Sequence, residues 1–101
     1  MTNKKGIGLF VTITLFSGGP LQAFDEALFF QQNCVVCHGA KGEGNGRVGK
    51  YLKPPAPQIA GKEVSLISTT ILSGKRQMPT FQRMLSPEHA KLLAEYVHSL
   101  K

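Results

Sequence analysis

Cys34-Val35-Val36-Cys37-His38 is the stretch on which the reading of this chain turns. Two cysteines three apart share one face of a helical turn, because residues i and i+3 are neighbours on a helix surface. A histidine follows at once. Two thiols on one face can each add to a vinyl group of a porphyrin. The imidazole beside them can then reach the porphyrin's metal from the same side. C-x-x-C-H is the pattern for covalent attachment of haem.

Other chemistries fit these residues less well. A thioredoxin-like redox pair sits near a βαβ unit, and no strand pattern surrounds this one. A structural zinc site needs four ligands. The chain has only two cysteines, and His89 and His98 are nine apart, outside the x₃₋₅ spacing of a zinc finger. A Cys34–Cys37 disulfide would close a very small loop and stabilise little.

The N-terminus reads as a secretory signal. Lys4 and Lys5 form a basic start, Gly6 to Ser17 is an apolar run, and Gly18-Gly19-Pro20 breaks it. Ala23 offers a small residue for cleavage. A membrane-spanning helix needs roughly 20 apolar residues, more than this run supplies. The expected organisation is therefore a signal peptide over residues 1–23 and one domain over residues 24–101. Export to the periplasm fits the motif, with no stable membrane insertion once the signal is removed.

Loss of Lys4 and Lys5 leaves ten basic residues against six acidic ones, a net charge of +4. Lys41, Arg47, Lys50, Lys53, Lys62, Lys75, Arg76 and Arg83 crowd the middle of the chain. A basic face speeds encounter with an acidic partner. It does not point to nucleic acid, because no basic helix or aromatic-interleaved stripe is present.

Asp25 to Asn33 reads as a first helix, capped by Asp25 and favoured by Glu26 in its first turn. It runs into the Cys-His turn. Gly39, Gly42, Gly44, Gly46 and Gly49 then mark a loop. No strand precedes these glycines, so they are not a nucleotide-binding fingerprint. Their expected role is tight backbone turning beside the haem. Lys53-Pro54-Pro55-Ala56-Pro57 is a stiff, extended strap. A ligating histidine usually has its second ring nitrogen tied to a backbone carbonyl or carboxylate. Pro54 and Pro55 are the candidates to accept that bond from His38. Val64 to Ser73 reads as a helix stopped by Gly74, with a strand as the alternative because of its β-branched residues. Ser86-Pro87-Glu88 opens the last helix, and Leu93, Tyr96 or Val97, and Leu100 form its inward stripe.

An iron held by His38 has a second face to fill, and the ligand there sets the function. Met78, Met84, His89 and His98 are the candidates. Met78 is the best placed, forty residues past His38, in a loop after a helix stop and stiffened by Pro79. Met84, beside Leu85 and near Phe81, is expected in the haem pocket or core. His89 and His98 are expected at the surface. Arg47, Tyr51 and Lys53 are candidates to meet the haem carboxylates.

Taken in order, Cys34-x-x-Cys37-His38-Gly39, Lys53-Pro54-Pro55, Gly74-x-x-x-Met78-Pro79, Leu85-Ser86 and Tyr96-Val97 resemble a small class I, monohaem cytochrome c over almost all of residues 24–101. The resemblance implies an all-α, cytochrome c-like fold. Three to four helices would surround one covalently bound haem c and its iron. The first and last helices would cross at an aromatic pair, Phe30 and Tyr96. Family members often carry glycine where this chain has Glu26, and Ala27 is expected to permit the close approach instead.

The expected function is that of a periplasmic one-electron carrier, not an enzyme. Haem would be held by Cys34 and Cys37 and ligated by His38 and Met78. Its partners would be redox proteins with acidic docking surfaces, and the chain would act as a monomer or as a subunit of a complex. Two alternatives are a haem subunit or domain of a larger oxidoreductase, and an open-site haem enzyme or gas sensor. A domain this small buries too little apolar surface to be comfortable without a staple. The haem-free chain is accordingly expected to give a weak far-UV circular dichroism signal without a cooperative melt. A native-like spectrum with a sharp transition would contradict this.

Overall fold

The computed structural model describes residues 24–101. The proposed signal peptide, residues 1–23, lies outside the described residues.

Four helices form: α1 over Glu26–Asn33, α2 over Val35–His38, α3 over Val64–Ser73 and α4 over Pro87–His98. A 3₁₀ turn over Gly49–Tyr51 lies between α2 and α3. Among the described residues the only β pairing is an isolated bridge between Lys75 and Met78. No helix there is long and apolar enough to cross a membrane.

Local chemistry sets the helix ends. The Asp25 carboxylate accepts the Leu28 N–H at 3.0 Å and so caps α1. Ser86 caps α4 by accepting the His89 N–H at 3.1 Å, with Pro87 at the first helical position and Glu88 beside the positive helix end. Gly74 ends α3 at φ 75°. A Cβ there would meet the Met78 carbonyl oxygen at 2.9 Å and the Thr80 nitrogen at 2.9 Å. Both the left-handed backbone and the close approach therefore require glycine.

The β-branched Val64–Ser73 segment is helical because packing outweighs propensity. Its Ile67 and Ile71, one turn apart, are both buried. They belong to one core with Phe30, Leu85, Ala90, Leu93, Ala94 and Val97. The α4 stripe is thus Ala90, Leu93, Ala94 and Val97, at i, i+3, i+4 and i+7 spacing. Tyr96 is half-buried and meets Phe30 edge to face, with centroids 5.6 Å apart. That pair ties α1 to α4 where expected. The small residues near the crossing lie on α4 and not on α1. Ala90 and Ala94 have no solvent exposure, whereas Ala27 is exposed and Glu26 half-buried.

The glycine loop after α2 lies directly on that helix. A one-turn helix leaves its last carbonyls without internal partners. Here Val48 N–H donates to the Val36 carbonyl (3.0 Å), Gly46 N–H to Cys37 (3.2 Å) and Gly44 N–H to His38 (2.8 Å). Such an approach leaves no room for side chains. A Cβ on Gly46 would lie 2.5 Å from the carbonyl oxygens of both Val35 and Val36, and one on Gly49 would overlap the Cys37 carbonyl. Gly49→Ala should therefore destabilise the protein by about 1–3 kcal/mol, the usual cost of overpacking, read as a lower urea midpoint. An unchanged midpoint would show that the loop yields without cost.

Candidate haem site

Cys34, Cys37 and His38 share one wall of a cavity of about 510 Å³. That volume lies within the range of about 300–1,000 Å³ typical of cofactor and ligand sites. The proline strap supplies another wall through Leu52, Pro54, Pro55, Ala56 and Pro57. Ile67 and Ile71 of α3, Leu93 and Val97 of α4, and Phe81 add apolar surface. Met78 lines the same cavity from the turn after α3.

α2 and its N-cap residue, Cys34, carry the donor set. Cys34 closes α1 through its N–H to the Phe30 carbonyl (2.8 Å) and opens the next turn by accepting the His38 N–H (2.8 Å). The two cysteines form no disulfide and are half-buried. Burial pushes the Cys34 thiol up to about 12, and Cys37 nearby acts in the same direction.

His38 is buried. Its Nδ1 lies 3.1 Å from the Pro57 carbonyl oxygen. A carbonyl can only accept, so Nδ1 carries the proton and Nε2 keeps its lone pair. The strap therefore does what was expected of it, but through Pro57 instead of Pro54 or Pro55. Two residues further on, the backbone has reached the imidazole, and Ile59 N–H has bonded back to Gly42 (2.7 Å). Burial lowers the pKa of His38, outweighing the opposing effect of the Pro57 bond. A neutral imidazole with a free Nε2 is a metal ligand in waiting.

The turn bearing Met78 is narrow. Lys75 N–H donates to the Met78 carbonyl (3.0 Å), and Met78 N–H donates back to Lys75 (2.9 Å). Arg76, between them, takes a left-handed φ of 55°. Phe81 N–H bonds the Ile71 carbonyl (3.0 Å), and the Thr80 hydroxyl bonds the Leu72 carbonyl. Met78 is therefore half-buried on a loop pinned to α3.

The other candidates fall elsewhere. Met84 is 59% exposed and outside the cavity, which corrects its expected place in the pocket or core. It lies in the turn between Phe81 and Leu85, where Leu85 takes the inward position. His89 is exposed and stacks on Phe24, with centroids 4.6 Å apart. His98 is exposed and donates from Nδ1 to the Lys62 carbonyl at 2.6 Å. Neither histidine lines the cavity. Arg47, Tyr51 and Lys53 do not line it either; its cations are Lys62, Lys75 and Arg76, and no acid lines it. Among the described residues no three His, Cys, Asp or Glu side chains cluster as a metal site.

The donor set and the cavity fit a haem. Two thiols and a neutral imidazole stand on one wall, and apolar side chains supply the rest of a site of suitable volume. Among the sequence's signals, the cations at Lys62, Lys75 and Arg76 were visible only as members of a longer basic list. Chain folding selects these three.

Comparison with known proteins bears on the same region. The family model described as Cytochrome C oxidase, cbb3-type, subunit III matches residues 25–97. The cbb3-type cytochrome c oxidase subunit FixP of Bradyrhizobium sp. (strain ORS 278) is 35% identical over 83 residues, covering 78% of this chain and 29% of that protein. The cytochrome bc1 complex cytochrome c subunit of Mycobacterium bovis is 39% identical over 70 residues, covering 67% of this chain and 24% of that protein. The chain thus spans less than a third of the length of these relatives. A solved structure, the KustC0563 c-type cytochrome, superposes with a TM-score of 0.62 at 26% identity, covering 74% of this chain and 95% of that one. With its all-α fold and its Cys-Cys-His cavity, the chain belongs to the cbb3-type cytochrome c oxidase subunit III family and is a small cytochrome c domain.

Proposed function

We propose that this chain is an electron-transfer protein of the periplasm. On this reading Cys34 and Cys37 would hold one haem c by thioether bonds, and His38 and Met78 would ligate its iron. The observation that carries this reading is a single cavity lined by both cysteines, by His38 with its Nδ1 tied to Pro57, and by Met78 on a pinned turn.

Bound haem supplies a one-electron iron couple. The chain's residues tune and protect it. Pro57 holds the His38 tautomer with Nε2 free for the metal. A methionine thioether raises the potential of a haem. Ile67, Ile71, Phe81, Leu93 and Val97 exclude water from the site. Lys62, Lys75 and Arg76 at the cavity suit a redox partner with an acidic docking surface, met weakly and by electrostatic steering. Residues 1–23 serve as the signal peptide and residues 24–101 as the working domain.

The named relatives are subunits of oxidase and bc1 complexes. They favour a second reading, in which this chain is the haem subunit of such a complex instead of a free carrier. Co-purification at moderate salt separates the two. An open-site enzyme or gas sensor is tested on the same protein.

Replacing Met78 is the direct experiment. Met78→Ala should lose the low-spin ferric spectrum, lower the reduction potential and make the ferrous protein bind carbon monoxide, while the wild type does not. If the spectrum and potential of Met78→Ala match the wild type, Met78 is not the ligand. Rapid carbon monoxide binding by the wild type would favour the open-site reading.

A further inference from the structure

Hydrogen bonding divides the chain after α1 into two separately anchored halves. In the first, residues 34–62, the strap is tied to the glycine loop. Ala56 N–H donates to the Gly49 carbonyl (2.9 Å), Ile59 N–H to Gly42 (2.7 Å), and His38 Nδ1 to Pro57 (3.1 Å). In the second, residues 63–101, the Met78 turn is tied to α3 through Phe81 and Thr80. The cavity lies between these halves and takes lining residues from both.

Among the described residues, two hydrogen bonds join the halves. His98 Nδ1 donates to the Lys62 carbonyl, next to the covalent link from one half to the other. Gln77 Nε2 donates to the Lys53 carbonyl at 3.3 Å, closing a separation of 24 residues. Lys62 is already held to the second half by its peptide bond to Glu63, so the His98 bond adds little to the placement of one half on the other, whereas the Gln77 bond acts on the strap, well away from that link. Gln77 lines the cavity, and so do Leu52 and Pro54 on either side of Lys53. The bond therefore lies at the cavity rim.

We infer that Gln77 is a positioning residue: its amide clasps the strap to the methionine turn and so holds Met78 in place for the iron. This rests on the proposed ligation. Thioethers and His38 would tie haem to the first half, and Met78 would tie it to the second. The Gln77 bond and the Met78–iron bond then span the same two halves in parallel. With one closed, the other forms at a higher effective concentration. The turn transmits the constraint, because Met78 is bonded to Lys75 through both its N–H and its carbonyl, and Gln77 lies between them. Without the clasp, an outside ligand competes better with the thioether.

The test uses the haem-loaded protein with Gln77→Ala, Gln77→Glu, Gln77→Lys and Met78→Ala. Three quantities are read: imidazole affinity of the ferric form, reduction potential, and amide hydrogen exchange over residues 52–58. Gln77→Ala and Gln77→Glu, which lack the donor at neutral pH, should bind imidazole about two- to tenfold more tightly, the range one net hydrogen bond supplies. Their potentials should fall and exchange in the strap should quicken. Gln77→Lys keeps a donor of similar reach and should stay within about twofold of wild type. Wild-type imidazole affinity, potential and strap exchange in Gln77→Ala would overturn the clasp, even if Met78→Ala binds imidazole tightly. Wild-type imidazole affinity in Met78→Ala would instead overturn the ligation; strap exchange then decides the clasp alone, faster exchange in Gln77→Ala supporting it and unchanged exchange overturning it.

Discussion

Everything at the site rests on how closely the glycine loop lies against the backbone of α2. A one-turn helix cannot hold itself, since nucleation is costly and its last carbonyls find no partners inside it. The loop cures both faults by donating N–H groups to Val36, Cys37 and His38. Gly46 and Gly49 make this possible because a Cβ at either would strike α2 carbonyls. Once the turn is held, the two thiols and the imidazole have fixed directions, and the loop continues into the strap that binds His38.

The second half of the chain is built by a different force. α3 and α4 join through apolar side chains, with Ile67 and Ile71 against the stripe of Ala90, Leu93, Ala94 and Val97. This core fixes α3, and α3 in turn anchors the Met78 turn through Phe81 and Thr80. A half held by backbone hydrogen bonds thus faces a half held by helix packing across the cavity. Chains of this size bury little surface, so whatever fills the cavity completes the core as well as the site.

Charge and burial divide the work within that cavity. Burial keeps His38 neutral, with Pro57 fixing which nitrogen carries the proton. Lys62, Lys75 and Arg76 bring positive charge to the lining, where no acid opposes it. Near the start of α4 Phe24 stacks on His89, and Phe29 meets the cavity-lining Phe81 edge to face, so both contacts brace α1.

Much was legible in the sequence because it depends on residues close together in the chain. The Cys34–His38 motif, the caps at Asp25 and Ser86 and the stop at Gly74 are all local chemistry, and the structure has each of them. Tertiary structure decided the rest. Which proline carbonyl meets His38 depends on how far the strap travels before it bonds back to Gly42, and that path ends at Pro57. Which cations face the cavity depends on how the halves close, so Lys62 and Arg76 line it while Arg47 does not. Met84 points outward because Leu85 takes the inward position in the same turn. Contacts between residues far apart in sequence leave no periodic or spacing signal along the chain, since they are set by the packing of whole elements against one another.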